Sequence, residues 1–143
     1  MAVWRIDIRL EALAPIVSGQ KRYEGRAPDG RKLEKDYRQI KAGDALEFYL
    51  VDENYKRVGN ESVHIRWVEK SITFKNVEEA CKEIDLEQFN PGVNTIKENV
   101  ALYNSFPGYS ERIKEYGFTR IKLKKSPVFT QQKLYDILKP FLT

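Results

Sequence analysis

Within its first 26 residues the chain changes hydrophobic period twice, which commits it to short strands and helices exchanging places around a common core. Trp4, Ile6, Ile8 and Leu10 alternate with Val3, Arg5, Asp7 and Arg9, the pattern of a half-buried strand. From Leu10 to Ser18 the spacing becomes helical, with Leu13, Ile16 and Val17 on one side. Gly19 then supplies the residue type that takes the left-handed conformation closing such a helix. From Arg22 the period returns to two, so Glu24 and Arg26 share one strand face and Tyr23 points the other way.

The glycine corner also proposes chemistry. Residues 19–26 read Gly-Gln-Lys-Arg-Tyr-Glu-Gly-Arg, a G-x-K-x-x-E-x-R string. Lys21 lies in the turn, so its long stem is free to swing toward the Glu24 side, and three charged heads can then meet in one hollow. The alternative is a surface ion pair of Glu24 with Arg26 or Lys21, which contributes roughly 0 to 1 kcal/mol. Burial lowers a lysine's affinity for its proton and a neighbouring carboxylate raises it, so the sequence leaves the sign for Lys21 open. A neutral Lys21 serves as a general base; a charged one anchors an anion, a carbonyl oxygen or a phosphate. Arg26 offers a planar fork to phosphate or fixes Glu24, and Glu24 can accept from an exocyclic amine or direct a water. Lys21 and Glu24 are therefore the catalytic candidates, with Gly19 and Arg26 beside them as binding residues.

Aromatic side chains matter next, because a stacked nucleobase gains roughly 1 to 3 kcal/mol. Tyr23, Tyr103, Phe106 and Tyr109 are the candidates near the motif, with core packing as the alternative for each. Trp4 and Trp67 read as core, and His64 as an exposed residue on the strand face opposite Trp67. A basic stripe of Arg120, Lys122, Lys124 and Lys125, together with Arg31, Lys32, Lys35 and Arg38, is placed to neutralise phosphates, or else is an ordinary solvated face.

Further along, Ala27-Pro28-Asp29-Gly30 carries turn chemistry, and Leu33, Tyr37 and Ile40 predict a short helix that acts as a lid. Residues 45–51 and 61–72 read as a hairpin with Val63, Ile65 and Trp67 inward. Asn76, with Glu79 three places on, predicts a capped helix to Ile84. Asn90-Pro91-Gly92 breaks the chain, and Asn94 is the expected cap of a helix carrying Ile96, Val100, Tyr103 and Phe106 on one side. Ser110 to Glu115 adds a helical turn, and residues 118–124 form a last strand with Ile121 and Leu123 inward. Leu134, Ile137, Leu138 and Phe141 mark an amphipathic C-terminal helix, capped by Thr130. The expectation is an α+β domain on a small curved sheet.

Composition limits the functional classes. A chain of 143 residues with 41% hydrophobic content fits one domain. No run of about eighteen apolar residues occurs, so no membrane partner or spanning helix is expected, and a cytoplasmic location is the default. One cysteine and one histidine exclude an intrachain disulfide and a Cys/His zinc site, so neither a metal nor another cofactor is expected. A net charge of +4 and a pI near 9.1 mildly favour polyanions.

The motif at residues 19–26 resembles the signature of the ASCH family, a branch of the PUA-like superfamily, at every specified position. Lys41-Ala42-Gly43-Asp44 leading into residues 45–50 resembles the family's turn and central strand. Residues 103–106, Pro107-Gly108-Tyr109, and Glu115-Tyr116-Gly117-Phe118 leading into residues 119–123 resemble its closing helix, turn and last strand. The resemblance implies a PUA-like β-pseudobarrel of five or six mixed strands with covering helices over residues 1–125. Residues 126–143 then add a C-terminal helix packed on the same domain. It also implies recognition of RNA or a modified nucleoside in a pocket lined by Lys21, Glu24 and Arg26. A hydrolase is the alternative, either an amidohydrolase on N4-acetylcytidine or a ribonuclease. Small amidohydrolase members commonly carry a nucleophilic threonine where this chain has Glu24, a departure that separates the two readings. A third reading is a protein-interaction module using the C-terminal helix.

Overall fold

A computed structural model of the chain describes residues 1–125 together with Asp136 and Lys139. The expected C-terminal helix, and with it the interaction-module reading, lies outside the described residues apart from those two. Strand β1 (Val3–Arg9) runs into helix α1 (Leu10–Ser18), and β2 (Tyr23–Arg26) follows. Strands β3 (Ala45–Val51) and β4 (His64–Phe74) come next, then helices α2 (Val77–Cys81), α3 (Ile96–Asn104) and α4 (Tyr109–Tyr116), and finally β5 (Phe118–Leu123).

The five strands form one mixed sheet in the order β1-β3-β4-β5-β2. Only β1 and β3 are parallel; the other neighbours are antiparallel. The sheet curls into a half-barrel, so its two edge strands, β1 and β2, are consecutive in the chain and are joined by α1 alone. Ile6, Ile8, Leu13, Ile16, Val17, Leu46, Phe48, Val68, Ile121 and Leu123 fill the interior. A second cluster, around Phe89, Tyr103, Ile113 and Phe118, lies under α2, α3 and α4. The architecture is thus α+β with five strands, as the alternating periods require.

Gly19 ends α1 in the left-handed region at φ 88°, and its N–H bonds to the Ile16 carbonyl. The Lys21 N–H then returns to the Pro15 carbonyl at 2.9 Å, which fixes the corner before β2 begins.

Five expectations need correction. On β4, Ile65 and Trp67 face outward, 41% and 50% exposed, while Arg66 points in. Pairing explains this: Arg66 stands opposite Leu46 and His64 opposite Phe48, and both partners belong to the core. The Arg66 guanidinium is satisfied there by the carbonyls of Ile16 at 2.8 Å and Lys124 at 2.6 Å. His64 is therefore half-buried rather than exposed, and burial beside Arg66 lowers its pKa to about 4.

The expected lid helix is instead two 3-10 turns, Leu33–Lys35 and Tyr37–Gln39, with Leu33 exposed and Tyr37 and Ile40 buried. Short-range pairs of Asp29 with Arg31 and of Asp36 with Arg38 hold this segment. The cap of α3 is Thr95, one residue after Asn94; its Oγ1 accepts from the Glu98 N–H and donates to the Glu98 carboxylate. Asn76 does cap α2, through the Glu79 N–H, but that helix stops at Cys81 because Lys82 is extended, at φ −71° and ψ 145°. Among the described residues no helix is long and apolar enough to cross a membrane.

Candidate functional site

The glycine corner brings Lys21, Glu24 and Arg26 together inside the protein. Lys21 is 3% exposed and Glu24 5%, so neither forms the solvated surface pair that spacing alone allows. Glu24 and Arg26 stand opposite Ile121 and Thr119 of β5, which places both on one face of β2, as alternation requires. Tyr23 and Gly25 point the other way.

Each head group has defined partners. Lys21 Nζ donates to the Phe89 carbonyl and to Asn90 Oδ1, the latter at 2.9 Å, and sits 5.3 Å from the centroid of the Phe89 ring. Glu24 Oε1 accepts from the Gly25 N–H at 2.9 Å, and Oε2 lies 3.5 Å from Arg26 Nη2. Arg26 Nη1 donates to the Asp7 carbonyl at 2.9 Å, crossing from one edge strand to the other. Its Nε is buried without a partner.

Burial dominates the electrostatics of Lys21. Loss of water lowers its pKa from 10.5 to about 8, against the attraction of Glu24 and with a smaller push from Arg26 in the same direction as burial. The sign left open by the sequence is thus resolved downward: the amine is still protonated at pH 7 and gives up its proton above pH 8. A neutral amine has two N–H groups and one lone pair; with Phe89 and Asn90 taking both hydrogens, the lone pair is left available. For Arg26, burial pulls its pKa down but Glu24 and the hydroxyls of Tyr109, Tyr37 and Tyr103 outweigh it, and the guanidinium stays charged.

A polar network behind the motif was not legible in the sequence. Asn90 Nδ2 donates to Asn99 Oδ1 at 2.9 Å and to the Tyr103 hydroxyl at 3.0 Å, while its Oδ1 holds Lys21. Asn99 is fully buried and its own amide donates to the carbonyls of Val93 and Thr95. Asn90 sits in a segment that reads simply as a chain break. Asn99 did carry a signal, as an amide on the same side of the helix as Ile96 and Tyr103.

Gly25, an unspecified position of the motif, is the second omission. A Cβ there would meet Phe118 Cζ at 2.5 Å, the Tyr103 hydroxyl at 2.7 Å and Phe89 Cε1 at 3.0 Å. Only glycine lets the tyrosine hydroxyl rest against the motif strand.

The aromatic candidates pack mainly on one another. Tyr103 is 3% exposed, with its ring 4.7 Å from Phe118, 5.7 Å from Phe89 and Phe106, and 6.2 Å from Tyr109, to which it is nearly parallel. Its hydroxyl, rather than its ring face, is what it presents to the motif, and burial pushes its pKa well up. Phe106 and Tyr109 are half-buried and meet edge to face.

Tyr23 lies on the opposite face of β2 under the Arg120 guanidinium, at 5.3 Å. Arg120 also covers Phe74 at 4.7 Å and donates to the Ala80 carbonyl at 2.7 Å, so it is built into the fold. Lys122 pairs with Glu69 at 2.9 Å, and Lys124 is exposed. By strand alternation this stripe is on the face of β5 away from Glu24 and Arg26. The sheet therefore separates two groups that the sequence treats as one binding surface.

Two solved structures share this fold. The crystal structure of the Pyrococcus hypothetical protein PH0355 superposes with a TM-score of 0.65 at 29% identity, covering 85% of this chain and 97% of that one. The solution NMR structure of protein PF0455 from Pyrococcus furiosus gives a TM-score of 0.57 at 26% identity, covering 85% and 96%. The half-barrel is common to all three. No family model matches the chain, and no curated protein matches it.

Proposed function

We propose that this is an ASCH-like domain of PUA-like fold that recognises RNA or a modified nucleoside through Lys21, Glu24 and Arg26. The observation that carries this reading is that Lys21 and Glu24 are buried, beside a half-buried Arg26, at one corner. Removing such groups from water costs several kcal/mol per ion, and a buried pair seldom repays the cost in stability. Glu24 and Arg26 side by side offer an acceptor and a donor, complementary to the polar edge of a base. The buried Asn90–Tyr103–Asn99 network holds Lys21 in place behind them. Titrating the protein with single-stranded RNA and with modified nucleosides at low and rising salt tests the reading; absence of binding to both at low salt would refute it.

A hydrolase is the second reading, favoured by Lys21. With its pKa lowered to about 8, the neutral fraction of Lys21 grows as pH rises through 8, and with both hydrogens of the neutral amine engaged its lone pair can then take a proton from an attacking water. Both Glu24 oxygens already accept from donors, so Glu24 positions rather than attacks. Incubation with N4-acetylcytidine separates the readings. Cytidine and acetate formed by wild type, but not by Lys21→Ala or Glu24→Ala, support hydrolysis; inert wild type restricts the site to binding.

A further inference from the structure

The cluster has a second arginine that the motif does not contain. Arg112, on α4, is half-buried, with its guanidinium 4.8 Å from the Tyr109 ring centroid. Its side chain makes no hydrogen bond or ion pair with any of the described residues, the Asp29 carboxylate acting on it only at longer range, and its Nε is buried and unpartnered. Arg26 Nε is in the same condition. The two guanidiniums share surroundings: Tyr37 interacts electrostatically with Arg26, Arg112 and Tyr109, and Arg26 with Tyr37 and Tyr109. Neither the Tyr37 nor the Tyr109 hydroxyl has a hydrogen-bond partner among the described residues.

Two N–H donors buried without acceptors are costly, because each forfeits the hydrogen bond it made with water. They approach from different elements, β2 and α4, beside two unengaged phenols. A carboxylate has two oxygens in one plane, and Glu24 reaches Arg26 through only one of them, Oε2, at 3.5 Å from Nη2. A phosphate carries three or more acceptor oxygens directed tetrahedrally, and guanidinium is the side chain suited to it.

We infer that Arg26 and Arg112, flanked by Tyr37 and Tyr109, form a phosphate subsite, so that the ligand of the motif cluster is phosphorylated rather than a free nucleoside. The inference builds on the function proposed above by naming the part of the ligand that α4 holds. Phosphate on a nucleotide and phosphate in an RNA strand present the same acceptors, and the experiment distinguishes them.

The test follows the arginine Nε–H signals of the full chain by NMR during titration with inorganic phosphate, with acetate and chloride at matched ionic strength as controls. Saturable shifts of Arg26 and Arg112 with phosphate are expected, weakened at least ten-fold by Arg112→Gln. Arg112→Lys, which keeps charge and stem, is expected to weaken binding several-fold and serves if the glutamine variant does not fold. Drift no different from chloride, saturation equally by acetate, or an unchanged response in the variants overturns the subsite.

Cytidine and uridine are then compared with their 5′-monophosphates and with a dinucleoside monophosphate. Binding at least ten-fold tighter for the phosphorylated forms supports the inference, and a preference for the diester identifies an RNA strand as the source. Nucleosides binding as tightly as nucleotides overturn the subsite and leave base recognition standing. Saturation by phosphate without any nucleoside, nucleotide or dinucleotide binding upholds the subsite and overturns base recognition.

Discussion

Replacing Lys21 by methionine keeps the volume of its stem and removes its charge, which isolates what burial does to this group. In the unfolded chain the lysine titrates near 10.5, whereas in the folded protein burial depresses it to about 8. At pH 7 the amine is protonated in both states, so the native protein bears the full cost of holding the ammonium inside. As pH rises above 8 the native state gives up its proton while the unfolded chain retains one, and stability climbs until 10.5 is passed. At 1.36 kcal/mol per decade of displacement, the whole effect is ~3 kcal/mol. Most of this should develop between pH 7 and pH 10. Losing the bonds to Phe89 and Asn90 shifts the variant by an amount that does not vary with pH. The diagnostic is therefore the difference between wild-type and Lys21→Met unfolding free energies, in which the titration of other groups cancels. Urea denaturation at half-unit intervals from pH 6.5 to 10 supplies it. The wild type should gain steadily on the variant across that window. A difference constant to within about 0.5 kcal/mol would refute the claim that burial governs Lys21, and a wild type losing ground as pH rises would show that Glu24 prevails instead.

Gly25→Ala should cost roughly 1 to 3 kcal/mol in urea denaturation, because the new methyl group meets three aromatic side chains that pack one another in place. Arg120→Ala should lower stability by about 1.5 to 3 kcal/mol through its lost bond to the Ala80 carbonyl. If RNA reaches the β5 stripe, Lys124→Ala should instead leave stability unchanged and reduce the salt slope of binding by about 1. The thiol of Cys81, which burial raises to a pKa of about 11, should alkylate with iodoacetamide at pH 8 only under denaturing conditions; rapid labelling of the native protein would contradict its placement.

Local rules sufficed where a residue's neighbours in sequence are also its neighbours in space. The helix from Leu10 and its Gly19 stop, the Asn76 cap and the shared face of Glu24 and Arg26 all follow from spacing within a few residues. On β4 local spacing points Ile65 and Trp67 inward, whereas the inward side is decided by pairing with Leu46 and Phe48. Arg66 is tolerated inside by two carbonyls distant in the chain, Ile16 and Lys124, which no alternation pattern encodes. The site divides similarly. The motif supplied the charged heads, but the direction of the Lys21 shift depends on Phe89 and Asn90, which enclose it from 68 and 69 residues away. Nothing local in the sequence distinguishes Arg112 from the other arginines; its unpartnered Nε is a property of the assembled structure.

The reach of Arg26 to the Asp7 carbonyl has a mechanical meaning. It stitches together the two rims of the half-barrel, one side chain doing at the seam what a ladder of backbone bonds does elsewhere. A ligand that recruits Nη1 must unpick that stitch, whereas one that uses only the idle Nε leaves it tied. Amide exchange along the first two strands would thus report how a guest is gripped: quickened if the seam loosens, slowed if the guest tightens it.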